Sequence, residues 1–157
     1  MRQVHRQALV PQSPEQMYGL VNDIAAYPRF VPYCLAAQLI SQTPTTLEAV
    51  LTVGRAGVKV SIGTKNLMQV NEIIEMNLVS GPFKSFVGVW RFKAIPLPQQ
   101  ANASPQFGTQ IELNVQFEFE SRLLDRLAGG LFESTWNTLV DTFVARAAQL
   151  YPRGGSG

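Results

Sequence analysis

One thiol and one imidazole occur in this chain, Cys34 and His5. Together they would make a nucleophile and its base. No third orienting residue is evident, and nothing in the sequence requires the two to meet, so no catalysis is assigned to them. Glu112 and Glu118 could serve as a general acid and base. Both, however, fall on the polar parity of one alternating stretch, and Arg91 and Lys93 have the matching parity on the stretch before it. Cross-strand ion pairing is the simpler account. No cluster of His and Cys has metal-ligand spacing, and Gly54-x-x-Gly57 reads as a turn, not a phosphate loop. What is left is apolar. Trp90, Phe92, Phe117, Trp136, Leu139 and Phe143 recur at strand and helix periods and could either line a lipid pocket or fill a core. Phe30, Val31 and Pro32, in the segment Tyr27-Pro28-Arg29-Phe30-Val31-Pro32-Tyr33-Cys34, could roof such a pocket or form a rigid connector. The two prolines fix φ and forbid one continuous helix there.

The elements that must position these residues follow from periodicity. Residues 2–10 read as a strand ended by Pro11. Ser13-Pro14-Glu15-Gln16 is a helix start, with Ser13 as N-cap and Gln16 closing a capping box. Met17, Leu20, Val21 and Ile24 then recur at helical spacing to about Ala26. From Leu35 to Phe119 the period becomes two, most clearly where Ile111, Leu113, Val115, Phe117 and Phe119 alternate with Glu112, Asn114, Gln116 and Glu118. That pattern suits an antiparallel sheet covered on one face. Turns are expected at Thr43-Pro44, 54–57, Asn71-Glu72 and 81–84, and a floppy loop at 96–106. A helical stripe returns at Phe132, Trp136, Leu139, Phe143 and Leu150, with Gly129-Gly130 near its start.

One helix cannot cover so wide a sheet unless the sheet curls round it. Such curling is expected to leave a cavity of at least ~300 Å³, the lower range for ligand sites. In a meander, alternate turns share an end. Turns 54–57 and 81–84 and the exit of the last strand near 120 therefore form one mouth. Arg55, Pro82, Phe83 and Lys84 are its expected portal, with Phe83 exposed at the tip and able to dip into a membrane surface.

Composition narrows the class. A chain of 157 residues is long enough for one domain with a real core. A net charge of +2 does not by itself imply nucleic acid, and no DNA partner is expected. Arg2, Arg6, Arg55, Lys59, Lys65 and Lys84 form either a solvated face or a patch for RNA or anionic lipid. A single cysteine excludes an intrachain disulfide and suggests a reducing compartment. With no apolar signal core and no run near the ~18 apolar residues of a membrane span, a cytoplasmic protein, peripheral at most on the inner membrane, is expected.

The ordered motifs Tyr27-Pro28-x-Phe30-Val31-Pro32-x-Cys34, Gly81-Pro82-Phe83-Lys84, Trp90-Arg91-Phe92 and Phe117-x-Phe119, with the opening Ala8-Leu9-Val10-Pro11-x-Ser13-x-Glu15-Gln16-Met17, resemble the START-like coenzyme Q-binding family over residues 3–151. The resemblance implies an α+β helix-grip fold: a curved antiparallel sheet of about seven strands round a long C-terminal helix, with a proline-broken helix pair after strand 1. It implies one domain over 1–151, followed by a tail at 152–157 expected to be disordered. It also implies non-catalytic binding of ubiquinone or a similar polyprenyl lipid in an apolar pocket, in support of respiration, with no covalent cofactor. For a bacterial toxin branch of the family, it implies binding to the large ribosomal subunit that blocks subunit joining. A cyclase-like enzyme of the same fold is the third reading.

Overall fold

The computed structural model describes residues 1–98 and 106–152. Most of the loop expected at 96–106, and residues 153–157 of the expected disordered tail, lie outside the described residues.

Strand β1 (Arg2–Val10) leads into helix α1 (Pro14–Asn22). The capping box forms as the sequence requires: the Gln16 amide donates to Ser13 Oγ (3.2 Å), and the Ser13 amide donates to Gln16 Oε1 (3.0 Å). α1 stops earlier than its apolar spacing suggests. Asp23 leaves helical geometry, and Ile24–Arg29 continues as a 3-10 helix containing Pro28. The Tyr27 hydroxyl donates to the Val21 carbonyl, one of the carbonyls left without a helical partner at the end of α1, and so ties the two short helices together.

Six further strands follow: β2 (Cys34–Gln42), β3 (Thr46–Arg55), β4 (Val58–Gln69), β5 (Ile73–Ser80), β6 (Phe83–Pro96) and β7 (Phe107–Phe119). They form a meander, and β1 adds to its far edge beside β7, giving the order β1-β7-β6-β5-β4-β3-β2, antiparallel throughout. Inward residues of the sheet, Ile111, Leu113, Val115 and Phe117 among them, are fully buried. The sheet holds the final helix in its concave face. That helix begins as one turn, α2 (Arg122–Leu124), passes through a π-helical stretch, Asp125–Gly129, and becomes α3 (Gly130–Leu150). α3 buries Phe132, Trp136, Leu139, Val140, Phe143 and Ala147, the stripe expected from sequence but without Leu150, which is exposed at the last turn.

Arg2 fixes the start of this helix to β1. Its Nε and Nη2 donate to Asp125 Oδ1 (2.8 Å) and Oδ2 (3.1 Å), and Nη1 reaches Glu133 Oε1 (3.4 Å). The guanidinium passes directly over Gly129, where a Cβ would lie 2.6 Å from Arg2 Nε. Hydrogen bonding from Arg2 holds the Asp125 carboxyl below the ordinary carboxylate range. A depressed carboxylate pKa stabilises the fold above the unfolded value and loses that contribution as pH falls through the lower folded value. The pair is part-exposed, so its worth is at most about 1 kcal/mol. Asp125→Asn is therefore expected to lower the melting temperature slightly at neutral pH, with a difference from wild type that shrinks below about pH 4. Thermal unfolding of both proteins across pH checks this.

Candidate functional site

The space between α3 and the sheet is nearly filled. Phe143 meets Tyr27 (5.4 Å between ring centres), Phe30 (5.6 Å) and Trp90 (5.6 Å) edge-on. Phe132 packs on Phe117 and Phe83 (4.9 Å each), and Trp136 on Phe86 (5.5 Å). Among the described residues, two cavities of about 20 Å³ lie there, each with room for about one water molecule. The expected cavity of ligand size is therefore corrected: large aromatic side chains interdigitate across the concave face and consume the space that its curvature opens.

The two cavities adjoin. Tyr27, Leu51, Ile62 and Trp136 wall both. The first runs under α1 between Ala49, Ile74, Met76 and Trp90. The second runs towards Val31, Cys34, Phe132 and Leu139. Of the residues proposed from sequence, Val31, Trp90, Trp136 and Leu139 line this seam. Phe92, Phe117 and Phe143 are buried but line neither cavity, and so act as core. Phe30 is half-buried and docks the end of the 3-10 helix on α3, with Arg146 5.0 Å above its ring. Pro32 is exposed and roofs nothing.

The seam is not wholly apolar. Thr64 Oγ1 donates to Asn66 Oδ1 (3.0 Å), and both residues are buried on the wall of the first cavity. The buried Trp136 Nε1 has no hydrogen-bond partner among the described residues. Sequence reading passed over Asn66, although its parity on β4 matches the inward Val60, Ile62 and Thr64. Burial pushes the Tyr27 hydroxyl and the Cys34 thiol up from their ordinary pKa values, so both stay protonated at neutral pH. Cys34 Sγ donates to the Ala36 carbonyl (3.7 Å). His5 lies on β1 at the opposite edge of the sheet from Cys34, 3.1 Å from Glu112, which also faces Arg91 across the β6–β7 ladder at 3.9 Å.

The mouth end assembles as the meander requires. Glu120 donates from its amide to the Pro82 carbonyl (2.9 Å), and Arg55 and Ala56 share a groove with Leu127 and Gly130. Phe83 is corrected. It is only 5% exposed and packs on Phe119 at 4.7 Å. The reason is a register shift between Phe83 and Ser85 in the pairing with β7. The extra residue puts Phe83 and Phe86 on the same inward face despite their opposite parity. Pro82 is half-buried at the turn, and Lys84 borders a polar groove with Arg2, Arg122 and Arg126. Lys59 and Lys65 are exposed on β4, with Lys65 opposite Glu48, so that face is not of one sign.

Residues 10–144 match the family model described as polyketide cyclase / dehydrase and lipid transport. The chain is 39% identical over 151 residues to the ribosome association toxin RatA of Escherichia coli K12, covering 96% of this chain and 90% of that protein. It is 24% identical over 144 residues to the mitochondrial coenzyme Q-binding protein COQ10 of Dictyostelium discoideum, covering 90% of this chain and 66% of that one. Among solved structures it superposes on the Zhui aromatase/cyclase from a Streptomyces species with a TM-score of 0.72 at 15% identity, covering 98% of each chain. It also superposes on the 18 kDa protein CC1736 of Caulobacter crescentus with a TM-score of 0.65 at 27% identity, covering 96% of this chain and 99% of that one.

Gly88 offers a test of the seam. A Cβ there would meet Met76 Cε at 2.4 Å, the far end of a flexible side chain that walls the first cavity. At Gly108 a Cβ would instead meet the Val10 backbone oxygen at 2.3 Å. Gly88→Ala is expected to push the Met76 methyl into the cavity at a cost within about 1 kcal/mol. Gly108→Ala has no such relief and should cost more than about 2 kcal/mol. Denaturant unfolding of the two variants distinguishes them.

Proposed function

Because the chain belongs to the polyketide cyclase / dehydrase and lipid transport family, we propose that it binds a hydrophobic chain-like ligand, ubiquinone or a similar polyprenyl lipid, along the seam beside α3 and performs no reaction on it. The observation that carries this reading is the meeting of two apolar cavities at Trp136, whose buried N–H lacks an acceptor. A quinone carbonyl would supply one. A prenyl tail would then extend along the walls of Leu51, Ile62 and Leu139, gaining about 0.8 kcal/mol per buried methylene. A ligand of several hundred Å³ requires α3 to draw away from β3 and β4. The Gly129–Gly130 junction and the mouth lie at the end where that movement would begin. The protonated Tyr27 and Cys34 beside the seam offer no base for abstracting a proton, which favours binding over cyclase chemistry. The relative named for coenzyme Q binding supports the choice of ligand.

A second reading rests on a different observation. The core is nearly filled, and relatives 39% identical to this chain carry the name of ribosome association toxins. In this reading the protein grips the large ribosomal subunit through surface cations and keeps the subunits apart.

The two are separable. Titration with a short-chain ubiquinone analogue, followed by tryptophan fluorescence, should saturate. Trp136→Phe, which keeps an aromatic side chain but removes the N–H and the second ring, should weaken binding at least about five- to tenfold, the equivalent of one hydrogen bond, with Trp90 left as the fluorescent reporter. An apolar ligand without an acceptor should lose less, since for it the change alters only the shape of the wall. Failure of the wild-type protein to take up quinone would remove the first reading. Co-sedimentation with large ribosomal subunits across a salt series tests the second, with Lys59→Glu and Lys65→Glu expected to reduce the salt slope by about one unit for each phosphate no longer neutralised.

A further inference from the structure

We propose that the segment Arg122–Gly129 docks this protein on an anionic lipid bilayer. Ala128 and Gly129 are buried and Leu124 packs half-buried against the core, while the other two leucines point to solvent: Leu123 is 63% exposed and Leu127 60%. They are four residues apart and therefore neighbours along the helix surface. Arg122 and Arg126, also four apart, form a second row beside them. Both are exposed, and neither pairs with a carboxylate among the described residues. Leucines flanked by arginines on one exposed helical face are the pattern of a segment that lies in the headgroup layer with its apolar side chains inserted.

The surroundings extend that face. Leu127 borders a groove with Tyr33 and Arg55, where the Arg55 guanidinium stacks 5.1 Å from the Tyr33 ring and donates to its hydroxyl (3.1 Å). Tyr33 holds this place with a φ of 65°, a conformation uncommon outside glycine, and its ring is partly exposed beside the leucine. Lys84 joins Arg122 and Arg126 across the polar groove on the other side. The carboxylates nearby are Glu118 and Glu120, which line the same groove, and Asp125 and Glu133, which Arg2 holds. The cations Arg55, Lys84, Arg122 and Arg126 suit lipid phosphates. The two leucines decide between a bilayer and an RNA, since an RNA backbone offers nothing for them to enter.

This surface stands apart from the interior seam, so its test uses protein without added quinone, and failure here leaves the seam reading where it was. Flotation with phosphatidylcholine vesicles containing phosphatidylglycerol should carry the wild-type protein upward, and pure phosphatidylcholine vesicles should carry much less. Each of Arg122→Gln and Arg126→Gln should lower the partition about fivefold, and salt should mimic them. Leu123→Ser combined with Leu127→Ser should lower it about tenfold or more, with an unchanged melting temperature because both positions are exposed. Leu9→Ser, a 69% exposed leucine on β1, is the control and should change nothing. The proposal is overturned if the wild type ignores phosphatidylglycerol vesicles, or if the leucine variant floats as well as the wild type. It is also overturned if the arginine changes abolish sedimentation with large ribosomal subunits while vesicle flotation is absent, which would make the face an RNA surface.

Discussion

The rest of the structure depends on one packing arrangement, a single helix lying in the concave face of a seven-stranded sheet. A sheet that wide must curve to reach both sides of the helix, and curvature enlarges the space that side chains must occupy. This chain meets the demand with rings. Phe83, Phe86, Trp90, Phe117 and Phe119 from the sheet meet Phe132, Trp136 and Phe143 from α3 at ring-centre distances between 4.9 and 6.3 Å where they touch. Rings tile poorly at the margins of such an array. The residual space therefore collects where small or aliphatic residues stand, at Ala49, Leu51, Val53 and Ile62 on β3 and β4.

The two ends of α3 are secured by different physics. Along the side that α1 covers, Tyr27 closes the gap by burying its ring against Phe143 while donating its hydroxyl to the Val21 carbonyl, so an apolar and a polar requirement are met by one side chain. At the mouth, Phe132 in the first turn of α3 packs among Phe83, Phe117 and Phe119, and the Arg2 clamp, a charged and part-exposed contact worth far less than that packing, ties the turn before it to β1. The π-helical stretch lies just before that turn and ends at Gly129, with Gly130 following. Any motion that admits a ligand from this end must part Phe132 from the rings around it.

Much of this was legible in the sequence. The capping box at Ser13 and Gln16, the alternation on β7 and the shared end of turns 54–57 and 81–84 all follow from local rules. The direction of Phe83 does not, because one unpaired residue in the ladder reverses parity, and nothing in Gly81-Pro82-Phe83-Lys84 announces it. The size of the cavity was illegible for a related reason. The pattern specifies which residues face inward, whereas the free volume depends on how their rings interlock. Asn66 is not legible there because apolar periodicity does not reveal a lone polar residue at an inward position, and its hydrogen bond from Thr64 is a feature of the folded chain. Leu123 and Leu127 were overlooked because their exposure depends on which face of the helix meets the sheet.

The interior and the mouth impose opposite demands on one helix. Inside, α3 offers a largely apolar stripe in which the buried Thr135 hydroxyl is satisfied by the Leu131 carbonyl and Trp136 Nε1 is left without a partner among the described residues; each further buried polar group without one would cost about 1–3 kcal/mol. At the mouth, the same chain displays leucines to solvent, where they gain nothing for the free protein and cost solubility. The π-helical stretch stands at the boundary between these regimes. Behind it the largest apolar residues are buried; within it they turn outward and the small ones face in. Position 128 is buried in a nearly filled interior and takes the small Ala, whereas nothing about folding requires leucines at the exposed positions 123 and 127, where contact with something apolar would offset the cost of their exposure.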